Sequence, residues 1–138
     1  MQANRDRGKS KGPGLAASRR VFSALWESRI AAHLHLAEGY VSKAYCVLPV
    51  EFYDDGRGPR RVCEARQLLM YLAHVEFGLP LSEVARRYRR DRSTAHHACR
   101  KIEDQRDDPA FDEMVSKIEE LISLRADPLF RDIYGACA

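Results

Sequence analysis

Hydrophobic and polar positions alternate with a helical period along most of this chain. Between residues 61 and 77, apolar side chains recur at steps of three and four, which places them on one face of an α-helix. The same spacing predicts helices at 19–38 and from Pro109 to the Asp127-Pro128 pair, and no segment has the two-residue alternation of a strand. The pattern therefore predicts an all-α helical bundle.

Breakers and caps predict where these helices end. Gly39 is expected to end the first helix, and a separate short helix is expected over 40–47. Pro49 then interrupts the chain and starts a further turn with apolar anchors. Gly78 is expected to end the 61–77 helix.

Residues 81–102 carry the most informative pattern, two short helices joined by a tight basic turn. Ser82 is the predicted N-cap of the first helix, and Asp91 is predicted to cap the second. Arg89 and Arg90 form the turn. A helix that opens on short polar and basic side chains fits the DNA major groove, so this segment predicts a helix-turn-helix motif.

Charge is distributed unevenly, although the net formal charge is only +3. Residues 57–102 carry eleven basic and four acidic side chains, whereas residues 103–138 carry four basic and ten acidic ones. Residues 1–18 are rich in Gly, Lys, Arg and Ser, and are predicted to be a disordered basic arm. A basic block between acidic flanks indicates a polyanionic partner.

Several classes of function lack support in the sequence. Gly8-Lys9-Ser10 resembles the end of a phosphate loop, but the required earlier glycine is Ala3. Four scattered cysteines form no zinc-finger pair, and His96 with Cys99 lacks a second pair of ligands. No catalytic constellation, cofactor or metal is expected. Without a membrane span or a secretory signal, the predicted location is the cytoplasm, at the nucleoid.

Three segments together resemble the C-terminal DNA-binding domain (domain IV) of the bacterial replication initiator DnaA. They are A-R-Q-L-L-M-Y-L-A at 65–73, L-S-E-V at 81–84 and R-D-R-S-T-A-H-H-A-C-R-K-I at 90–102. The last segment is close to the family signature R-D-H-T-T-V-x-H-A-x-R-K-I. The resemblance covers roughly residues 36–124, and it implies an all-helical, TrpR-like domain that binds a short duplex site.

The resemblance also implies which residues contact DNA. The second helix of the motif would enter the major groove, and the basic loop before the A-R-Q helix would reach the minor groove. The predicted DNA-binding residues are Arg57, Arg60, Arg61, Arg66, Gln67, Leu81, Ser82, Arg89, Arg90, Asp91, Arg92, Ser93, Thr94, His97, Arg100 and Lys101.

Position 92 departs from the family pattern, because Arg92 stands where the family has histidine. A guanidinium can bond to guanine O6 and N7 together, and such a contact discriminates between bases by about 1–3 kcal/mol. The alternative is that Arg92 binds a phosphate. Only about 35 residues precede the resembling region, too few for the ATPase module of DnaA, so ATP hydrolysis is not expected.

Four segments are predicted: a basic arm at 1–18, an N-terminal helix at 19–38, a DnaA-like domain at 39–126 and a tail at 127–138. The 19–38 helix, with Trp26, either packs on the domain or forms a homodimer. The predicted function is sequence-specific binding of double-stranded DNA by a non-enzymatic regulator of transcription or replication. The alternative is a protein-interaction module of the replication machinery that has kept the fold.

Overall fold

The computed structural model describes residues 15–128, and this part of the chain contains only helices. The prediction of an all-α fold with a helix-turn-helix is confirmed. In chain order the elements are α1 (Leu15–Tyr45), a 3-10 helix (Pro49–Tyr53), α2 (Arg60–Val75), α3 (Leu81–Arg87), α4 (Arg92–Gln105) and α5 (Pro109–Ile122). The described residues divide after Ala31 into two compact units, and the motif lies in the second, 32–128. Residues 1–14 of the predicted arm and 129–138 of the predicted tail fall outside the described residues, whereas residues 15–18, which were predicted to belong to the arm, lie in α1.

α1 continues through Gly39, so the predicted break and the separate 40–47 helix are wrong. A glycine inside a helix costs about 1 kcal/mol relative to alanine. Val41, two residues further on, is fully buried and holds this stretch against the core. The helix ends only at Tyr45, where Cys46 adopts a left-handed φ of 54°. Tertiary packing therefore outweighs the local preference of the glycine.

α2 is the central helix of the second unit, since five of its apolar side chains have no solvent exposure. They are Ala65, Leu68, Leu69, Leu72 and Ala73. α4 packs against α2 and buries Ala95, Ala98, Cys99 and Ile102. The two alanines lie in the first half of α4, where a small side chain allows a close approach to the neighbouring helix. α4 is thus fixed by one face alone.

Two predicted helix starts differ from the structure. α3 begins at Leu81 after Pro80, so the prediction of Ser82 as its N-cap is wrong. Proline has no N–H to leave unsatisfied and favours this entry to a helix. Asp91 does precede α4 as predicted, but its side chain makes no capping hydrogen bond, and its carboxylate is exposed. The predicted start at Pro109 is confirmed, because Asp108 caps α5 by accepting from the Ala110 N–H at 3.1 Å.

The turn between α3 and α4 is a Schellman motif with an arginine in the position that glycine usually takes. Arg89 has a φ of 54°. Its N–H donates to the Arg86 carbonyl at 3.2 Å, and the Arg90 N–H donates to the Ala85 carbonyl at 2.8 Å. These two bonds satisfy carbonyls at the end of α3 and reverse the chain direction. The left-handed conformation at Arg89 carries a steric cost of about 1–2 kcal/mol for a residue with a β-carbon.

Replacement of Arg89 by glycine is therefore expected to raise the free energy of unfolding by about 0.5–1 kcal/mol. The substitution also removes an exposed ion pair with Asp55, which contributes little. Arg89→Ala is the matched control, because it removes the same ion pair but keeps the β-carbon. In urea unfolding, Arg89→Gly should have a higher free energy of unfolding than Arg89→Ala. Equal values for the two variants would contradict the backbone strain assigned to position 89.

Candidate nucleic-acid interface

The first turn of α4 is exposed on the side opposite its packing face. Arg92, Ser93 and Thr94 are all solvent-exposed, whereas Ala95 directly after them is buried. His97 and Arg100 continue the exposed surface along the same helix. This arrangement leaves polar and basic groups available while the fold uses the other face. A helix presented in this way has the form that enters a major groove.

A cleft of about 650 Å³ lies beside this turn, where the chain before α2, α2 itself and α4 meet. Eight predicted DNA-binding residues line it: Arg57, Arg66, Gln67, Arg90, Ser93, Thr94, His97 and Lys101. Cys63 and Met70 complete the lining. Side chains from four separated parts of the sequence are thus brought to one concave surface.

The lining of the cleft is cationic and contains no carboxylate. Burial, followed by the charge of Arg90, lowers the pKa of the Arg66 guanidinium from its ordinary value. The second cause is the repulsion between the two positive charges of Arg66 and Arg90, which both line the cleft. A phosphate placed in the cleft would reduce this repulsion. The electrostatics of the cleft therefore favour an anionic ligand.

Arg66 differs from the other cationic residues because it is almost fully buried, with 3% exposure. Its Nε donates to the Phe52 carbonyl at 3.1 Å, and its Nη2 donates to the Glu51 carbonyl at 3.1 Å. Its Nη1 donates to the Arg57 carbonyl at 3.5 Å. The guanidinium is thus bonded to the backbone that precedes α2.

Arg90 has an equivalent set of bonds to the loop at residues 54–59, called here the 54–59 loop. Its Nη2 donates to the carbonyls of Asp54 and Gly56 at 3.0 and 2.9 Å. Its Nη1 donates to the Asp55 carbonyl at 3.1 Å. The loop is therefore held by a side chain from the helix-turn-helix turn.

The remaining predicted site residues lie outside the cleft lining. Arg60 pairs with Glu64 at 2.9 Å on the exposed surface of α2, and Arg89 pairs with Asp55 at 3.1 Å. Leu81 is half-buried at the start of α3. The others are exposed: Arg61, Ser82, Asp91, Arg92 and Arg100. These residues are close in sequence to residues that line the cleft, but they do not line it themselves.

Sequence reasoning missed a buried carboxylate that supports the motif. Glu38 of α1 is only 2% exposed. Its Oε1 accepts hydrogen bonds from the Tyr53 hydroxyl, from the Tyr88 hydroxyl at 3.0 Å and from Arg87 Nη2 at 3.1 Å. Burial, then the Glu38 hydrogen bond, raises the pKa of Tyr53 to about 12. The cluster ties α1, the 3-10 helix and the end of α3 together.

Three cysteines of the described part are expected to differ in reactivity, and one of them, Cys63, lines the cleft. Burial, together with Glu103, raises the pKa of the Cys99 thiol to about 11, so Cys99 should resist iodoacetamide at about pH 8. Cys63 is half-buried at the cleft and should react, whereas DNA should slow its reaction. Exposed Cys46 serves as the internal control. Peptide mass spectrometry would measure each rate, and unchanged Cys63 alkylation with bound DNA would contradict the placement of the ligand.

Two short helices across a tight turn, with the second exposing its first turn beside a cationic cleft, define a helix-turn-helix protein. Residues 39–102 match the family model described as the bacterial DnaA protein helix-turn-helix. This part of the chain is similar to the DnaA helix-turn-helix domain, and the resemblance inferred from sequence is confirmed. The family is a DNA-binding domain and is not catalytic. No curated protein and no solved structure matches the chain.

Over residues 15–128, none of the helices combines the length and the apolar character that crossing a membrane requires. In the same range, no group of three or more His, Cys, Asp or Glu side chains is arranged to hold a metal ion.

Proposed function

We propose that this protein binds double-stranded DNA sequence-specifically and regulates transcription or replication without an ATPase activity of its own. The observation that carries the proposal is the convergence of Arg57, Arg90 and Lys101 with the first turn of α4 at one cationic cleft. The DnaA-like helix-turn-helix family, whose domain binds DNA, supports the same conclusion.

The arrangement supports a division between affinity and specificity. Phosphate contacts supply sequence-independent attraction, and base-edge contacts in the groove supply discrimination. Lys101 in the cleft and Arg100 on the outer surface of α4 are suited to phosphates. Arg92, Ser93 and Thr94 lie at the exposed helix start, which is the part of a recognition helix that contacts base edges.

The proposal includes a cytoplasmic location at the nucleoid, as expected for a protein that acts on bacterial DNA. It also retains the homodimer through the 19–38 helix, which would read paired half-sites. Analytical ultracentrifugation with and without a palindromic duplex measures the mass of the protein and of its complex, and so distinguishes a monomer that binds one site from a dimer.

Selection of bound sequences from a random duplex pool tests the function directly. We expect an enriched motif and an affinity that falls steeply with salt. Lys101→Glu should weaken binding at least tenfold, since it reverses a charge in the cleft. Lys117→Glu makes the same change on exposed α5, away from the cleft, and should leave binding intact. No binding to any duplex at about 100 µM would refute the proposal and favour the protein-interaction alternative.

A further inference from the structure

Four of the six carbonyls of the 54–59 loop accept a hydrogen bond from one of two guanidinium groups. Arg90 donates to the carbonyls of residues 54, 55 and 56, and Arg66 donates to that of Arg57. Arg66 also donates to the carbonyls of Glu51 and Phe52, which precede the loop. The loop contains no helix or strand of its own. These bonds fix its path, together with the bond that the Cys63 thiol donates to the Arg57 carbonyl at 2.6 Å.

The loop carries Arg57, which lines the same cleft as Ser93 and Thr94 of the first turn of α4. Arg90 lies in the turn between α3 and α4, directly before Asp91. One side chain thus connects the motif's turn to the backbone that presents Arg57. We infer that Arg90 is a positioning residue for DNA recognition, which sets the placement of Arg57 relative to α4. This inference rests on the proposed DNA binding.

The three hydrogen bonds from Arg90 to the carbonyls of residues 54–56, called here the clasp, require an arginine at position 90. The guanidinium presents five N–H donors in a planar fork, so it can bond three successive carbonyls at once. A lysine keeps the positive charge and can still contact a phosphate, but its single ammonium cannot span the same carbonyls. Arg90→Lys therefore separates a positioning role from a simple phosphate contact.

In DNA binding, Arg90→Lys and Arg90→Ala are expected to weaken affinity to a similar extent, by about tenfold. If Arg90 acted only as a phosphate contact, lysine would restore most of the affinity that alanine loses. Lys117→Ala, which removes one charge from exposed α5, is the control and should have no effect.

A double-mutant cycle tests whether Arg90 acts through Arg57. Arg57→Ala should weaken binding about fivefold in the natural protein and less than twofold in the Arg90→Lys background. Independent contacts would give the same factor in both backgrounds, and that result would overturn the inference.

The clasp is also testable in the free protein, independently of DNA. Limited digestion with trypsin should cut after Arg57 at least about tenfold faster in Arg90→Lys, because the exposed loop is released. Cleavage after Lys117, the one trypsin site within α5, should proceed at an unchanged rate. Unchanged cleavage after Arg57 would refute the clasp even if DNA binding holds. Conversely, faster cleavage in a protein that binds no duplex would refute the proposed function alone.

Discussion

Glu38→Ala is expected to lower the free energy of unfolding by about 3 kcal/mol. The carboxylate accepts from two tyrosine hydroxyls and from the Arg87 guanidinium in a site with almost no solvent access. Its removal leaves Arg87 without its buried counter-charge and leaves two hydroxyls without an acceptor. Removing one partner of such a pair costs more than the pair itself contributes, since the remaining charge stays desolvated.

Two further variants serve as comparisons for the loss of stability in Glu38→Ala. Glu38→Gln keeps the shape and one acceptor oxygen, so it should lose less stability than the alanine variant. Glu103→Ala removes an exposed carboxylate from α4 and should change stability by no more than about 0.5 kcal/mol. Urea unfolding monitored by circular dichroism gives all three values. A Glu38→Ala protein as stable as Glu103→Ala would show that the cluster does not support the fold.

Arg92→Ala is expected to abolish the preference at one base pair of the DNA site, a loss of about 1–3 kcal/mol in discrimination. Arg92 is exposed in the first turn of α4, and no fold contact of its side chain competes for the guanidinium in the described structure. The affinity for the preferred duplex should fall, while the affinity for a duplex altered at that pair should change little. Competition binding across single-base variants of the selected site measures both.

The comparison variant for this experiment is Arg100→Ala, which removes an exposed guanidinium two turns further along α4. A phosphate contact weakens all duplexes by the same factor and reduces the salt dependence by about one charge. If Arg92→Ala also weakened every duplex equally, Arg92 would be a phosphate contact, and base readout would rest on Ser93 and Thr94.

The helices of this chain follow from apolar spacing, but some of their ends do not. Asp108 and Pro109 begin α5 as predicted, because an N-cap and a first-turn proline act locally. Gly39 does not break α1, because the burial of Val41 is a tertiary contact that the local pattern does not contain. A left-handed arginine at position 89 likewise depends on the Schellman bonds rather than on residue preference.

Eight of the sixteen predicted site residues line the cleft, and the structural roles of its arginines could not be predicted from the sequence. Charge and motif spacing were enough to select Arg66 and Arg90 as site residues. Their hydrogen bonds to backbone carbonyls depend on the path of the 54–59 loop, which no periodicity predicts. Glu38 had no sequence signal beyond an acidic residue next to an apolar stripe. Its function depends on two tyrosines and an arginine that are distant in sequence.

Because α4 packs through one face only, selection for folding acts on its inward positions and selection for DNA recognition acts on its outward positions. Its inward alanines are constrained by the neighbouring helix, whereas Arg92, Ser93 and Thr94 contribute nothing to the core. Substitutions at the outward positions can therefore accumulate without loss of folding. Related proteins with this scaffold are expected to diverge in target site faster than in architecture. The same property makes the chain a candidate for laboratory retargeting by randomising these three positions.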